Sequence, residues 1–351
     1  MLQGAILGRS HRSPLALQRI QDVVSLTREI LEIPDDYYVG IVPGSSTGAM
    51  EMGLWNLLGP APVDVYAWDV FGKVWADDIM DHLRLPETHL YESPEPGCLP
   101  PLEDHNPAHD MVMTLNGTTT GVRVPHFDWI QPHREGLVFV DGCSAFFAME
   151  VDWCKIDVAA LSWQKCLGGE GAHGMLVLSP KALKRLKSYT PPWPVPRLFC
   201  LKKEGVFLEA VFEGKTLNTP SMLCVEDVYD SLLWCKAQGG LKALIRRSQA
   251  NLKAVEAWVT RTPWVDFLVK DPAARSSTSI TLELKDVYAE SQWDVIHGIR
   301  DLLAAEAVAY DINGHLLSHP CLRLWGGPMI ETEDLQKLFP WLEWAYERQL
   351  I

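Results

Sequence analysis

The sequence lacks any long hydrophobic run, since no apolar stretch approaches the roughly 18 residues needed to span a bilayer. The apolar part of the opening stretch MLQGAILGRSHRS is also too short for a secretory signal peptide. We therefore expect a cytoplasmic protein with no membrane partner.

Cysteine patterns typical of metal sites are absent as well. The eight cysteines form no CxxC pair and show no spacing of metal ligands, so we expect reduced, buried thiols and no bound metal. No long basic run offsets the formal net charge of −14, which argues against nucleic acid or an anionic membrane as a partner. Small molecules are the expected partners, and local basic residues could still bind an anionic substrate.

The features that the sequence does contain indicate an α/β protein. Short apolar runs rich in β-branched residues alternate with helical stretches, and they lie at 38–42, 63–67, 110–115, 137–141, 157–162 and 174–179. Strands that are apolar throughout are typical of a mostly parallel sheet covered by helices on both faces. A chain of 351 residues is also long enough for one large domain and a smaller one.

Local signals predict where the first helices begin and end. Ser13 followed by Pro14 predicts the start of the first helix, because a capping hydroxyl precedes a residue that has no amide hydrogen. A second helix is predicted from about residue 47 to 58, where a Gly-Pro pair ends it. The proline-rich stretch 190–197 is predicted to be extended and irregular.

The order of predicted helices and strands changes in the C-terminal part of the chain, which predicts a small α+β domain. Its elements are a strand at TSITLEL, a helix around 292–305, strands at AVAYDI and CLRLW, and a terminal helix from Glu333. We therefore predict a large domain over residues 10–255 and a small domain over residues 256–351.

Polar residues follow several of the predicted strands, and in open α/β sheets the ligand binds beyond the carboxyl ends of the strands. The segment PGSSTGAME follows the first run, so Ser46 and Thr47 could bind a phosphate at a helix N-terminus. Simple helix capping is an alternative for these two hydroxyls and, taken alone, the commoner role.

Two ionisable residues follow later strands. Asp141 ends the fourth run, where a partly desolvated carboxylate needs a positive partner such as a protonated pyridine nitrogen. A capping or salt-bridged aspartate is the alternative. Lys165 follows the fifth run, and an amine held in a cleft can attack an aldehyde to form an imine. An isolated lysine is usually solvated surface charge, but this lysine and aspartate together, behind a phosphate-type turn, favour cofactor chemistry.

Eight segments resemble the class V pyridoxal phosphate-dependent aminotransferases, specifically the phosphoserine aminotransferases of the bacterial and archaeal branch. The segments are GRSHRS, GSSTGAME, WDVFGKVW, NGTTTGVRVP, LVFVDGCSAFF, SWQKCLGGEGAHGML, TLNTPSMLCVED and LRLWGG. They occur in the family order from about residue 8 to the end of the chain. The resemblance implies the fold-type-I architecture, in which a mostly parallel seven-stranded sheet lies between helices and a small α+β domain follows.

The resemblance also implies roles around a pyridoxal 5′-phosphate cofactor. Lys165 matches the Schiff-base lysine, and Asp141 matches the carboxylate that keeps the pyridine nitrogen protonated. Phe71 matches the aromatic ring that stacks on the cofactor, and Thr118 matches a hydroxyl near its phenolic oxygen. Ser46, Thr47 and Gln164 match contacts to its phosphate. An ordinary core phenylalanine is the alternative for the stacking ring.

Substrate contacts and a second subunit are implied in the same way. Arg323 matches the arginine that binds the substrate's α-carboxylate through two parallel hydrogen bonds. His11 and Arg12 match a pair directed at the substrate's phosphate, with a solvated capping segment as the alternative. Asn218 and Thr219 match residues that reach the cofactor phosphate of the neighbouring subunit, which implies a homodimer with shared active sites.

The implied reaction is ping-pong transfer of an amino group between glutamate and 3-phosphohydroxypyruvate, which gives O-phosphoserine in serine biosynthesis. Departures from the family pattern concern the substrate more than the reaction. Relatives carry an additional N-terminal stretch of the NFSxGPA type, and Leu316 replaces a basic residue expected at the phosphate, for which His315 could compensate in part. Ser46 replaces an acidic residue and Leu115 a tryptophan.

Two alternatives therefore stay open. One is a class V aminotransferase for a phosphate-free 2-oxo acid of the serine or alanine–glyoxylate type, which Leu316 favours. The other is a catalytically silent paralogue, which the N-terminal departure favours.

Overall fold

A seven-stranded sheet forms the centre of the computed structural model, which describes residues 4–102, 105–285, 287–288, 291–315 and 318–349. In chain order its strands are β1 (Tyr38–Pro43), β2 (Val63–Ala67), β3 (Thr88–Glu92), β4 (Asp110–Thr114), β5 (Val138–Asp141), β6 (Val158–Ser162) and β7 (His173–Leu178). The spatial order is β1-β7-β6-β5-β4-β2-β3. Strand β7 runs antiparallel to both of its neighbours, β1 and β6, and the other neighbouring pairs are parallel. The predicted α/β class and the mostly parallel seven-stranded sheet are therefore confirmed.

Eight α-helices occur in the described residues, together with shorter helical turns. They are α1 (Pro14–Ile30), α2 (Ser45–Leu57), α3 (Val70–Asp77), α4 (Pro180–Ser188), α5 (Met222–Ala237), α6 (Gly240–Arg261), α7 (Gln292–Ala305) and α8 (Thr332–Glu347). A π-helical turn follows α3 at Asp78–His82, and 3₁₀ turns lie at Trp153–Lys155, Glu209–Glu213 and Pro272–Ala274. No helix of the described part is long and apolar enough to cross a membrane.

The predicted helix starts agree with the structure. The Ser13 hydroxyl accepts a hydrogen bond from the amide of Ala16, and Pro14 occupies the first helical position. Helix α2 begins two residues earlier than predicted, at Ser45, because Gly44 adopts a left-handed conformation with φ 82° and turns the chain sharply after β1. Residues 190–197 form neither helix nor strand, as predicted.

Side chains of the sheet alternate between two hydrophobic cores. Met111 and Met113 of β4 pack with α1 and α5 on one face. Val112, between them, packs with α2 and α4 on the other face. Burial on both faces explains why these strands are apolar throughout. Strand β3 was not predicted, because it is the edge strand and its side chains are mostly exposed, so its sequence carries no apolar run.

The C-terminal residues form a third core around a three-stranded antiparallel sheet. A two-stranded ribbon, β8 (Lys202–Lys203) and β9 (Val206–Phe207), precedes the strands of this sheet, which are β10 (Val265–Phe267), β11 (Ser279–Leu284) and β12 (Leu322–Trp325). Helices α6, α7 and α8 cover the sheet through Trp258, Ile299 and Phe339. The predicted domain boundary at residue 255 falls inside α6, and the division into domains stays a prediction.

One predicted strand was wrong. Residues 307–312, AVAYDI, are not a strand in the structure. Ala307 and Asp311 both have left-handed backbones, with φ of 55° and 54°, which interrupt an extended chain. The apolar composition of this segment reflects burial of Ile312 in the third core.

Candidate active site

A cavity lies beyond the carboxyl ends of β4, β5 and β6, beside the N-terminus of α2. Its lining includes all seven residues for which contacts with the cofactor in the same subunit were predicted: Ser46, Thr47, Phe71, Thr118, Asp141, Gln164 and Lys165. They come from five separate segments of the chain, so the fold itself brings them together. Their individual roles stay predictions.

Strand register explains why Asp141 and Lys165 reach the same cavity. Thr114 at the end of β4 pairs with Asp141 at the end of β5, and Asp141 pairs in turn with Ala160 of β6. These parallel strands therefore end at the same edge of the sheet, and Lys165 lies three residues beyond the end of β6. Side chains that follow the strands must converge there.

Asp141 is a buried carboxylate, 8% exposed. Its Oδ1 atom accepts a hydrogen bond of 3.1 Å from the amide of Cys143. Burial raises the pKa of Asp141 to about 6, while the amide of Cys143 and the charge of Lys165 act in the opposite direction. A cationic group bound beside this carboxylate would favour its ionised form.

The N-terminus of α2 forms a compact turn with the geometry of an anion site. Gly44 and Ser45 both have positive φ, of 82° and 60°, and the helix begins directly at the cavity. Gly48 is required in the first turn, because a Cβ atom there would lie 2.2 Å from the carbonyl oxygen of Pro43. The first amides of α2 and the hydroxyls of Ser46 and Thr47 are thus available to a phosphate.

Several buried polar atoms of this cavity have no hydrogen-bond partner within the described part of the chain. They are Asp69 Oδ2, Thr114 Oγ1, Asn116 Oδ1 and Gln164 Oε1. Unpaired buried polar atoms cost free energy, and their concentration in one cavity indicates a polar ligand. The cavity also contains the buried carboxylate of Asp141, the amine of Lys165 and the N-terminal turn of α2. This set of groups fits pyridoxal phosphate.

Arg323 reaches the same region from the C-terminal sheet. Leu322 and Leu324 of β12 are buried, so Arg323 and Trp325 occupy its other face. These two side chains line a second cavity together with Thr118 and Lys165. Arg323 donates one long hydrogen bond, 3.4 Å, to the carbonyl oxygen of Thr118. No carboxylate among the described residues pairs with it, so the guanidinium can bind an acid.

Other predicted residues lie outside these two cavities. His11 and Arg12 are in the turn before α1, and His315 follows the end of the segment that was wrongly predicted as a strand. Asn218 and Thr219 are exposed in the loop before α5. Leu316, on which the alternative substrate rests, lies outside the described residues.

Several residues of the two cavities were missed by sequence reasoning, among them Asn116, Asp69 and Trp325. Asn116 follows β4, and Asp69 follows β2 after one tryptophan, so the rule that polar residues after strands form the site would have found both. Trp325 gave no such signal, because its position near Lys165 depends on how β12 packs against the large sheet.

A second cluster, formed by Asp64, His89 and His109, lies at the amino-terminal ends of β2, β3 and β4. Its ligand atoms are close enough together for a metal site. Asp64 Oδ1 lies 3.0 Å from Nδ1 of both histidines. Asn106 accepts a hydrogen bond from the amide of Ala108 through Oδ1, so its Nδ2 must donate to His109 Nε2 at 2.9 Å. Nδ1 of His109 therefore carries the hydrogen and donates to Asp64, which makes this cluster a hydrogen-bonded clamp.

Comparisons with known proteins agree on one family. The sequence profile of "Aminotransferase class-V" matches residues 106–329. A phosphoserine aminotransferase of Methanosarcina mazei is 48% identical over 346 residues, 99% of this chain and 92% of that protein. A solved phosphoserine aminotransferase of Cytophaga hutchinsonii superposes with a TM-score of 0.80 at 19% identity, covering 96% of this chain and 90% of its own.

The fold alone does not select the substrate. A ureidoglycine-glyoxylate aminotransferase of Bacillus subtilis also superposes with a TM-score of 0.80, at 17% identity, and covers 98% of this chain and 88% of its own. Proteins with the same architecture thus act on different acids, and substrate must be argued from the site.

Proposed function

The chain belongs to the class V aminotransferases, and from that membership we propose that it transfers an amino group between glutamate and 3-phosphohydroxypyruvate, giving O-phosphoserine for serine biosynthesis. The observation that carries the proposal is the convergence of Asp141, Lys165 and the N-terminus of α2 in one cavity, with Arg323 in the adjoining one. The high identity to a phosphoserine aminotransferase supports the substrate.

Pyridoxal phosphate is the proposed cofactor, and each part of it has a candidate partner in the cavity. Lys165 would hold it covalently, Asp141 would face its pyridine nitrogen, and Phe71 would stack on its ring. Thr118 would contact the phenolic oxygen, while the start of α2 and Gln164 would bind the phosphate. When bound, the cofactor supplies an electron sink for the substrate's α-carbon.

The residues of the chain then have three tasks. The amine of Lys165 removes the proton from the substrate's α-carbon as general base and returns a proton in the reverse direction. Arg323 orients the substrate by binding its α-carboxylate through two parallel hydrogen bonds. Asp141 stays ionised because the cationic group beside it offsets the cost of burying its charge.

The proposed assembly is a homodimer in which each subunit completes the other's site. Asn218 and Thr219 are exposed and line neither cavity of their own subunit. This exposure supports a role at the cofactor phosphate of the neighbouring subunit. Such reciprocal contacts are what a two-fold axis produces.

The phosphate of the substrate is proposed to contact His11 and Arg12, with His315 nearby. The 48% identity to a phosphoserine aminotransferase supports a phosphorylated acid, whereas Leu316 favours a phosphate-free one. Replacing a cation of a phosphate site costs on the order of 1.5 to 3 kcal/mol, or about ten- to a hundredfold in affinity. A second candidate function, transamination of pyruvate or glyoxylate, therefore has one specific observation in its favour.

A substrate panel tests the choice. The kcat/KM values for 3-phosphohydroxypyruvate, pyruvate and glyoxylate would be measured with glutamate as donor. We expect the phosphorylated acid to have the highest value, and Arg12→Ala to lower that value about ten- to a hundredfold without affecting the other two. Arg9→Ala, at an exposed arginine three residues upstream, is the control. Faster turnover of a phosphate-free acid would reject the serine-pathway assignment.

A further inference from the structure

Asp69 is a second carboxylate in the cofactor cavity. It follows β2 and precedes α3, the helix that carries Phe71, and it is 5% exposed. Its Oδ1 atom accepts a hydrogen bond of 2.8 Å from the amide of Gly72 and so caps the helix. Helix capping accounts for one oxygen of this side chain only.

The other oxygen, Oδ2, is buried and has no hydrogen-bond partner among the described residues. It belongs to a residue that lines the cavity together with Asp141 and Lys165. Asp69 also packs tightly against the turn after β4, since a Cβ atom on Gly117 would lie 3.1 Å from the Cβ atom of Asp69. That turn carries Thr118, so the unpaired oxygen belongs to a side chain wedged beside the cofactor contacts.

An ionised Asp69 would be poorly stabilised here. A buried carboxylate without a partner for one oxygen is costly, and a second carboxylate, Asp141, occupies the same cavity. Burial raises the pKa of Asp69 to about 7, and the charge of Asp141 raises it further. The hydrogen bond from the amide of Gly72 to Oδ1 lowers the pKa, as do the nearby amides of Thr119 and Thr118, neither of which donates a hydrogen bond to Oδ2. Lys165 lowers the pKa of Asp141, so the positive charge of the cavity favours ionisation of Asp141.

The lysine and the two glutamates on the outer side of Asp69 are exposed to solvent. The adjoining surface pocket is lined by Lys73, Glu92, Glu95 and His319 as well as Asp69. Lys73 forms an ion pair of 2.8 Å with Glu92, and both side chains are well exposed, so solvent screens them. The charges of the cofactor cavity lie in a buried site and are therefore screened less than these exposed side chains.

We propose that Asp69 keeps its proton while the cofactor binds and donates a hydrogen bond from Oδ2 into the cofactor cavity, so that Asp141 alone carries negative charge. When two carboxylates share one buried site, the negative charge of one raises the pKa of the other, which keeps its proton. Asp69 is thus a positioning residue, which caps α3 through one oxygen and holds the cofactor through the other. The inference rests on the proposed function only in taking pyridoxal phosphate as the ligand.

The test is cofactor binding by the full-length, cofactor-free protein, without any amino acid. Asp69→Asn keeps an oxygen for the amide of Gly72 and places an NH₂ donor where the protonated oxygen was, so its Kd for pyridoxal phosphate at pH 6 should stay within about threefold of wild type. Asp69→Ser keeps only the helix cap, and its Kd should rise about tenfold or more.

The pH dependence gives a second readout. Between pH 6 and pH 8 the wild-type Kd should rise about tenfold relative to that of Asp69→Asn. Asp69 of the free wild-type protein loses its proton over this range, so the fraction of molecules able to bind the cofactor falls, whereas asparagine does not titrate. The ratio to Asp69→Asn removes the cofactor's own titrations. A Kd for Asp69→Asn at pH 6 tenfold or more above wild type, or a constant ratio across the pH range, would overturn the proposal.

A third measurement does not depend on the asparagine variant folding. Infrared difference spectra of the cofactor-loaded wild type at pH 6.5 should contain the carbonyl band of a protonated carboxyl group, and Asp69→Ser should lack it. Identical spectra for the two proteins would reject a protonated Asp69. Because no substrate is present, failure of phosphoserine turnover would leave this result standing, whereas failure to bind the cofactor would reject both proposals.

Discussion

The amino group of Lys165 lies 6.0 Å from the centre of the Trp325 indole ring. Trp325 lies two residues after Arg323 on β12, and both side chains occupy the face of the strand opposite its buried leucines. A substrate whose α-carboxylate binds Arg323 would therefore have its α-carbon near Lys165, with Trp325 beside it. This relationship joins the lysine that we propose to hold the cofactor to the arginine that we propose to bind the substrate's carboxylate.

Replacement of Arg323 tests this arrangement. Arg323→Lys keeps the charge but cannot form two parallel hydrogen bonds with a carboxylate. We expect kcat/KM for O-phosphoserine to fall about ten- to a hundredfold in steady-state assays, which corresponds to about 1.5 to 3 kcal/mol. The binding of cofactor alone should not change.

Arg261→Lys is the matched control, since Arg261 is an exposed arginine at the end of α6. Its kcat/KM should equal that of wild type. Equal activities of Arg323→Lys and Arg261→Lys would show that Arg323 does not bind the substrate's carboxylate.

Asp141 should destabilise the cofactor-free protein at neutral pH. Burial raises its pKa from 3.8 to about 6, so the folded state holds this proton more tightly than the unfolded state. That stability is fully present below pH 3.8 and is lost as pH rises through about 6. Asp141→Asn should therefore gain up to about 3 kcal/mol in free energy of unfolding at pH 8, with the gain shrinking toward pH 4.

Urea unfolding of cofactor-free wild type, Asp141→Asn and Asp128→Asn across pH 4 to 8 measures this gain. Asp128 has a side chain that is 95% exposed, so its replacement should change stability little at any pH. A destabilised Asp141→Asn at pH 8 would contradict the electrostatic account. The same variant should lose transamination, because the cofactor loses its charged partner.

The clamp formed by Asp64, His89 and His109 should contribute to stability. Its central carboxylate is 1% exposed, and His109→Ala removes one of two hydrogen bonds to it. We expect a loss of about 1 to 3 kcal/mol in the free energy of unfolding. His126→Ala, at a histidine whose side chain is 60% exposed, is the control, and equal losses in both variants would reject the clamp.

Shared active sites predict complementation between two inactive variants. Lys165→Ala lacks the reactive amine, and a double variant, Asn218→Ala with Thr219→Ala, lacks the contacts proposed for the partner subunit. A mixed dimer of these two contains one intact site, so random mixing should restore about a quarter of the wild-type sites. Activity that stays at the sum of the separate variants after subunit exchange would argue that each subunit works alone.

Much of the cofactor cavity could be predicted from sequence because its residues follow apolar strands. Asp141 is the last residue of such a run and Lys165 lies three residues after the next one, and these parallel strands end at one side of the sheet. Asp69 obeys the same rule but was missed, and in the structure it also caps α3. Local patterns therefore locate site residues without separating their structural and functional roles.

Other features depend on packing between distant segments and left little signal in the sequence. Trp325 approaches Lys165 only because β12 packs beside the end of the large sheet. Strand β3 pairs at an exposed edge with β2, so its polar side chains gave no apolar pattern. The segment 307–312 was apolar enough to resemble a strand, but two left-handed residues interrupt it.

The most direct test of the account is the location of the covalent cofactor. The cofactor-loaded protein would be reduced with borohydride, digested and analysed by mass spectrometry, in parallel with Lys165→Ala and the control Lys184→Ala on α4. We expect the cofactor on the peptide containing Lys165 in wild type and in Lys184→Ala, and neither attachment nor phosphoserine turnover in Lys165→Ala. Attachment at another lysine, or turnover that survives Lys165→Ala, would contradict the central claim.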